Sequence, residues 1–188
     1  ALYTNRNITV NHIANVYPHH DLLNLAYYHL EEIQRKDAEK IIEAKGLDCM
    51  SCLIALAIGV EGLINFCGLK LVPNWKEREK YHIKLKQVTE SLEIELDESI
   101  DPFKTLAQLK YLRDELAHPK PITREKKVKS HDEFNKLMET AWDKFCNSKY
   151  VHHAYEQVTL FEQIIYSNPS IQKSDILTSA WGWGDFGV

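Results

Sequence analysis

The sequence has few cysteines, no surplus of positive charge and no convincing strand pattern, and each shortage excludes something. Four cysteines (Cys49, Cys52, Cys67 and Cys146) in 188 residues do not make a disulfide scaffold. Three of them lie in apolar helical sequence, so they read as buried reduced thiols of a cytoplasmic protein. Cys49-x-x-Cys52 has no second CxxC or spaced histidine pair to complete four metal ligands. It also lacks a βαβ context that would make it a thioredoxin-like pair. The doublets His19-His20 and His152-His153 point their members in different directions on a helix. No metal and no cofactor are expected. A formal charge of -4 and a pI near 6.1 argue against coating nucleic acid by bulk electrostatics. Residues 1–10 lack the basic-then-apolar pattern of a leader, and neither an internal repeat nor a low-complexity block is visible.

What the sequence does have is helical periodicity, with 44% hydrophobic residues to form a core. Residues 20–45 place Leu22, Leu25, Ala26, Leu30 and Ile33 on one stripe, and Gly46 reads as its stop. Asp48 reads as the cap of an apolar helix over residues 49–69, which approaches the length of a membrane span. Glu61 and Asn65 sit inside it, three glycines interrupt it, and the rest of the chain is amphipathic. The expectation is a buried central helix and no membrane, with Ala55, Gly59 and Gly62 letting a neighbour approach closely. After Pro73 a charged helix carries Tyr81, Leu85, Val88 and Leu92. Asp101-Pro102 is an acidic start signal for a fourth helix, which His118-Pro119-Lys120-Pro121 stops. Two more, near 131–148 and 150–167, carry Phe134, Leu137, Ala141 and Phe145, then Val151, Ala154, Val158, Phe161 and Ile165. These spacings predict an all-α bundle of about five to six helices, with one domain over 1–167. Residues 168–188 form an extension whose Trp181-Gly182-Trp183-Gly184-Asp185-Phe186 is either a frayed end or a strip that docks on a partner.

Chemistry concentrates at the end of the fourth helix. At about 100° per residue, Phe103, Leu106, Leu109, Leu112 and Leu116 define its apolar face, and Arg113 falls near the middle. A guanidinium there must pair or face a groove, because an unpaired buried charge costs several kcal/mol. Glu61 is its natural partner. His118 precedes Pro119 and so leaves the helix. Arg113 and His118 would stand about 140° apart on an undistorted helix, so the helix alone cannot aim both at one atom. Either the chain break turns His118 back, or the two act together with residues from a second copy. Asp114, four residues before His118, is placed to hold the imidazole. The stretch that follows holds Lys120, Arg124, Lys126, Lys127 and Lys129 and is the most basic in the chain. It is either a surface that steers RNA or a solvated loop.

Arg113-Asp114-x-x-x-His118 at a helix end, with Tyr111-Leu112 before it and Pro119 after it, resembles the Arg-x4-6-His signature of the HEPN superfamily of helical bundles. The second helix, with Glu61 among small residues, is similar to that of some members; the likeness spans about residues 20–167. The resemblance implies a homodimer in which both motifs line a shared cleft and RNA is cleaved without metal. It assigns phosphate binding to Arg113 and proton transfer to His118, with Asp114 where many members have asparagine. Glu61 would support Arg113, while Lys120, Arg124, Lys126 and Lys127 would meet RNA. It further implies a defence or stress role and an antitoxin or regulatory partner. Pro119-Lys120 gives no tyrosine two positions after His118, unlike the subclass that pairs with nucleotidyltransferase antitoxins. The rival expectation is a non-catalytic HEPN-type module that binds a partner or ligand.

Overall fold

Burial of one long apolar helix organises the chain. The computed structural model describes residues 13–176 and 180–183. Strand β1 (Ile13–Val16) leads into helix α1 (Pro18–Ala38), and the apolar helix α2 (Lys45–Leu71) follows. Helices α3 (Tyr81–Ser91), α4 (Phe103–Ala117), α5 (His131–Met138) and α6 (Ser148–Tyr166) come next, then a 3-10 turn at Lys173–Asp175 and strand β2 (Ala180–Trp183). The architecture is an all-α bundle. α2 is the one helix among the described residues long and apolar enough to cross a membrane, but 67% of that apolar window is buried. It is covered by α1, α3, α4 and α6.

Close approach to α2 depends on its glycines. A Cβ at Gly59 would lie 2.9 Å from Leu23 Cδ2, and one at Gly62 3.0 Å from His19 Cβ, so α1 rests on this stripe. A Cβ at Gly68 would stand 2.4 Å from the Trp75 ring. α4 buries Phe103, Leu106, Leu109 and Leu112, the face expected from the wheel. The Asp101 carboxylate caps its start, with Oδ1 accepting from Thr105 N at 3.2 Å and Thr105 Oγ1 at 2.7 Å.

Four local expectations are corrected. α1 stops at Ala38 rather than at Gly46, because residues 39–44 turn with Lys40 and Ala44 at φ 57° and 54°. Gly46 and Asp48 both lie inside the first turns of α2, where Asp48 pairs with Lys36 at 2.6 Å instead of capping. α5 ends at Met138: Thr140 N and Oγ1 both donate to Asp143 Oδ2, a local bond that competes with helix continuation. Phe145 is buried but Phe134 is exposed, so the stripe read across them is not one face. Last, the chain does contain strands. β2 pairs antiparallel with β1, Ile13 opposite Trp183 and Val16 opposite Ala180. The tail therefore docks on this chain's own first strand, and Ile171 and Asp175 are buried on the way. Gly184, Asp185 and Phe186 lie outside the described residues.

Two glycine substitutions separate packing from propensity. Gly68→Ala forces a methyl into the Trp75 ring and is expected to cost about 2–3 kcal/mol. Gly46→Ala meets nothing within 4 Å and is expected to stabilise α2 by up to about 1 kcal/mol. Urea unfolding of both variants checks the contrast, which fails if the two shift stability in the same direction.

Candidate functional site

Three helices contribute to one charge network. α2 supplies Glu61 and, a turn later, Asn65; α3 supplies Lys84; α4 supplies Lys110, Arg113 and Asp114. Lys84 is 1% exposed. Its Nζ donates to Glu61 Oε1 at 2.9 Å, Asn65 Oδ1 at 3.1 Å and the Glu77 carbonyl at 3.2 Å. All three ammonium protons are therefore placed, the condition under which a buried lysine is tolerated. The other oxygen of Glu61, Oε2, accepts from Arg113 Nη1. The expected Arg113–Glu61 pair is present.

Arg113 Nε and Nη2 also donate to Asp114 Oδ1, at 3.1 and 2.8 Å, and Lys110 Nζ donates to Asp114 Oδ2. Burial would lower the Arg113 pKa, but the Asp114 bond and the Glu61 charge raise it instead. For Asp114, burial pushes upward, and the Lys110 and Arg113 bonds overcome it to hold the carboxyl below its usual range. Of the five N–H bonds of a guanidinium, these contacts use one on each nitrogen. Nη1 and Nη2 each keep one, on a side chain that is 29% exposed. The neighbouring Tyr81 hydroxyl is buried without a partner among the described residues. Burial first, then the Glu98 and Glu61 charges, drives its pKa up.

His118 caps the same helix with φ −129° and ψ 51°, and its N–H donates to the Asp114 carbonyl at 3.2 Å. Asp114 thus holds the backbone of His118, while its carboxylate is committed to Arg113 and Lys110. This corrects the expectation that the carboxylate holds the imidazole. The His118 ring is exposed and lines an open groove of about 770 Å³ with Asp114, Glu115, Lys120, Phe134 and Trp142. Arg113 does not line that groove; it faces α2. Arg124 reaches the groove, but its Nη1 donates to the Leu137 and Glu139 carbonyls at 2.6 and 2.8 Å, capping α5. Lys126 and Lys127 border a separate shallow hollow beside Phe134 and Leu137.

Sequence reasoning missed Lys84. The signal was there: Tyr81, Lys84, Leu85 and Val88 fall on one helical face, the argument that found Arg113. It also missed a second polar cluster at the far end of α2. Tyr17 donates its hydroxyl to Asp175, which pairs with Lys70 at 2.9 Å, and His20 Nε2 meets the Asp175 carbonyl at 3.1 Å. His19 is 2% exposed, lies 3.2 Å from the Tyr166 hydroxyl, and its pKa is lowered to about 4 by burial and then by His20. The cysteines are free, and burial pushes Cys49 up to about 11 and Cys52 and Cys67 to about 12, so they stay thiols at neutral pH.

Comparison with known proteins finds no matching family model, no similar curated protein and no similar solved structure.

The histidine cluster sets a pH dependence with a definite sign. A histidine whose folded pKa lies below its unfolded value of about 6.5 costs nothing above that pH and destabilises as pH falls toward about 4. Between pH 7 and 5 the expected loss is about 2 kcal/mol. Unfolded carboxylates, with pKa values of about 4, add little there. Denaturant unfolding at the two pH values is expected to show a loss at least halved in His19→Gln. Equal slopes in the two proteins would rule out His19 as the source.

Proposed function

We propose that this chain is a HEPN-type helical module that acts as a metal-independent endoribonuclease, its site completed by a second copy. The observation that carries the reading is at the end of α4. Arg113 is oriented by two carboxylates yet keeps an N–H on each terminal nitrogen, while His118 presents an exposed ring on a groove. The two groups lie on different sides of the helix, as the wheel requires, so convergence on one phosphodiester calls for a partner subunit. In this reading Arg113 binds the scissile phosphate and stabilises charge on its oxygens in the transition state. His118 of one copy takes the ribose 2′-hydroxyl proton. The 2′-oxygen attacks phosphorus, the P–O5′ bond breaks, and the second copy's histidine protonates the leaving oxygen. A 2′,3′-cyclic phosphate and a 5′-hydroxyl result. Lys120, at the groove, supplies backbone attraction, and Lys126 and Lys127 extend it. Such an enzyme fits a cytoplasmic defence or stress response held in check by an antitoxin or regulatory partner.

A second reading has its own observation. Glu61 and Asp114 already neutralise Arg113, which is all a structural ion pair requires; the chain is then a non-catalytic module for dimerisation and for binding a partner or ligand. Mixed RNA incubated with the protein in EDTA separates the two. The nuclease reading expects cleavage, with at least about a hundredfold loss in His118→Ala and in Arg113→Ala, and with folding and dimerisation intact. Cleavage that survives both substitutions removes the site assignment. A dimer that never cleaves favours the binding module.

A further inference from the structure

The acidic residues around Arg113 raise an electrostatic question, since a phosphate should avoid two carboxylates. Counting the bonded groups answers it. Lys84, Lys110 and Arg113 are linked to only two carboxylates, Glu61 and Asp114. The third cation is the one the surface hides: Lys84 is buried, shares Glu61 with Arg113 through opposite oxygens, and spends its remaining protons on Asn65 and the Glu77 carbonyl. Among the described residues Arg113 is ion-paired with Glu61 and Asp114, while Glu98 bears on the neighbouring Tyr81, a neutral phenol. Glu115 belongs to the His118 groove.

We propose that Lys84 is a positioning and specificity residue that makes the Arg113 end of the network a site for one phosphate-class oxyanion. By claiming one oxygen of Glu61, it leaves the cluster with one surplus positive charge. That charge is presented through the two unused N–H bonds of Arg113, one on Nη1 and one on Nη2, both in the guanidinium plane. Without Lys84 the same carboxylates cancel Lys110 and Arg113, and the end of α4 has no net attraction for an anion. This rests on Arg113 being the phosphate-binding group of the proposed function, and it adds the residue that permits that role.

Titration of the protein with inorganic phosphate at constant ionic strength and neutral pH, followed calorimetrically, tests the charge count. The single charge that each substitution removes is expected to change affinity about tenfold. Lys84→Met brings the cluster to zero and weakens binding by that factor. Glu61→Gln brings it to two surplus charges, keeps a carbonyl oxygen for Arg113, and tightens binding by a similar factor. The double variant restores one surplus charge and returns affinity to near the wild-type value. It also removes the carboxylate whose Oε1 loses its ammonium partner in Lys84→Met alone. Weaker binding in Glu61→Gln, unchanged binding in Lys84→Met, a double variant far from wild type, or a wild-type protein that ignores phosphate each overturns the inference. RNA cleavage is not part of this readout. Binding that follows the charge count without any cleavage would retire the nuclease reading alone, and cleavage with phosphate binding indifferent to Lys84 would retire only the inference.

Discussion

Glu61 sits between Asp48 and Lys70 as the lone charge in the apolar stretch of α2, and that placement constrains everything around it. A carboxylate in the central helix of a bundle has to be compensated, and no residue of α2 does so by itself. The compensation arrives from two directions, Lys84 on α3 and Arg113 on α4, one to each carboxylate oxygen. The packing of three helices is thereby tied to one polar contact. Hydrophobic burial is non-directional and would allow α3 and α4 to slide along α2; the two charged contacts fix their register. Breaking the Lys84 side leaves a buried ammonium without its carboxylate, so fold and site are held by the same atoms.

The legibility of the chain follows from the range of the interactions involved. The helices and their apolar faces were readable because a periodic stripe is a local signal; α4 buried Phe103, Leu106, Leu109 and Leu112 as the wheel required. Arg113 and Glu61 were readable as a pair because each was a charge in an apolar setting. Lys84 was equally readable by the same wheel, but in a helix rich in charge it did not look anomalous. The commitment of the Asp114 carboxylate to Lys110 was hidden by the competing spacing to His118: both lie four residues away, on opposite sides in sequence. The β1–β2 pairing was invisible because the partners are four-residue strands at opposite ends of the chain, with no turn between them to mark a hairpin. α5 failed where a side-chain bond from Thr140 to Asp143 outcompeted an apolar spacing that ran on past it.

α2 carries two polar clusters of different character. At Glu61 the carboxylate and Arg113 are partly exposed over a buried Lys84; at Lys70 the partner, Asp175, is fully buried and closed by Tyr17. The nine-residue step from Glu61 to Lys70 corresponds to about 13–14 Å of helix. The second cluster joins the segment after α6 to the start of α1. Its chemistry is consumed in that closure: Tyr17, His20 and Lys70 all end on Asp175, and His19 is kept neutral beside Tyr166. The first cluster is different because its bonding does not exhaust its donors.

That difference bears on whether the motif at the end of α4 is structural. An ion pair that only holds α4 on α2 needs one carboxylate and one guanidinium, and it is most economical when the two cancel. Here a lysine has been buried beside the pair, with the desolvation that entails, and three acceptors have been arranged to make it tolerable. Adding a cation to a carboxylate that already has one weakens the hold of that carboxylate on the other, since its charge is now shared. For a purely structural contact this is a loss. For a guanidinium that must stay oriented while meeting an anion it is a gain: the hydrogen bonds that aim Arg113 remain, and the charge that would repel a phosphate is spent elsewhere. The burial of Lys84 is therefore easier to understand if Arg113 has something further to bind.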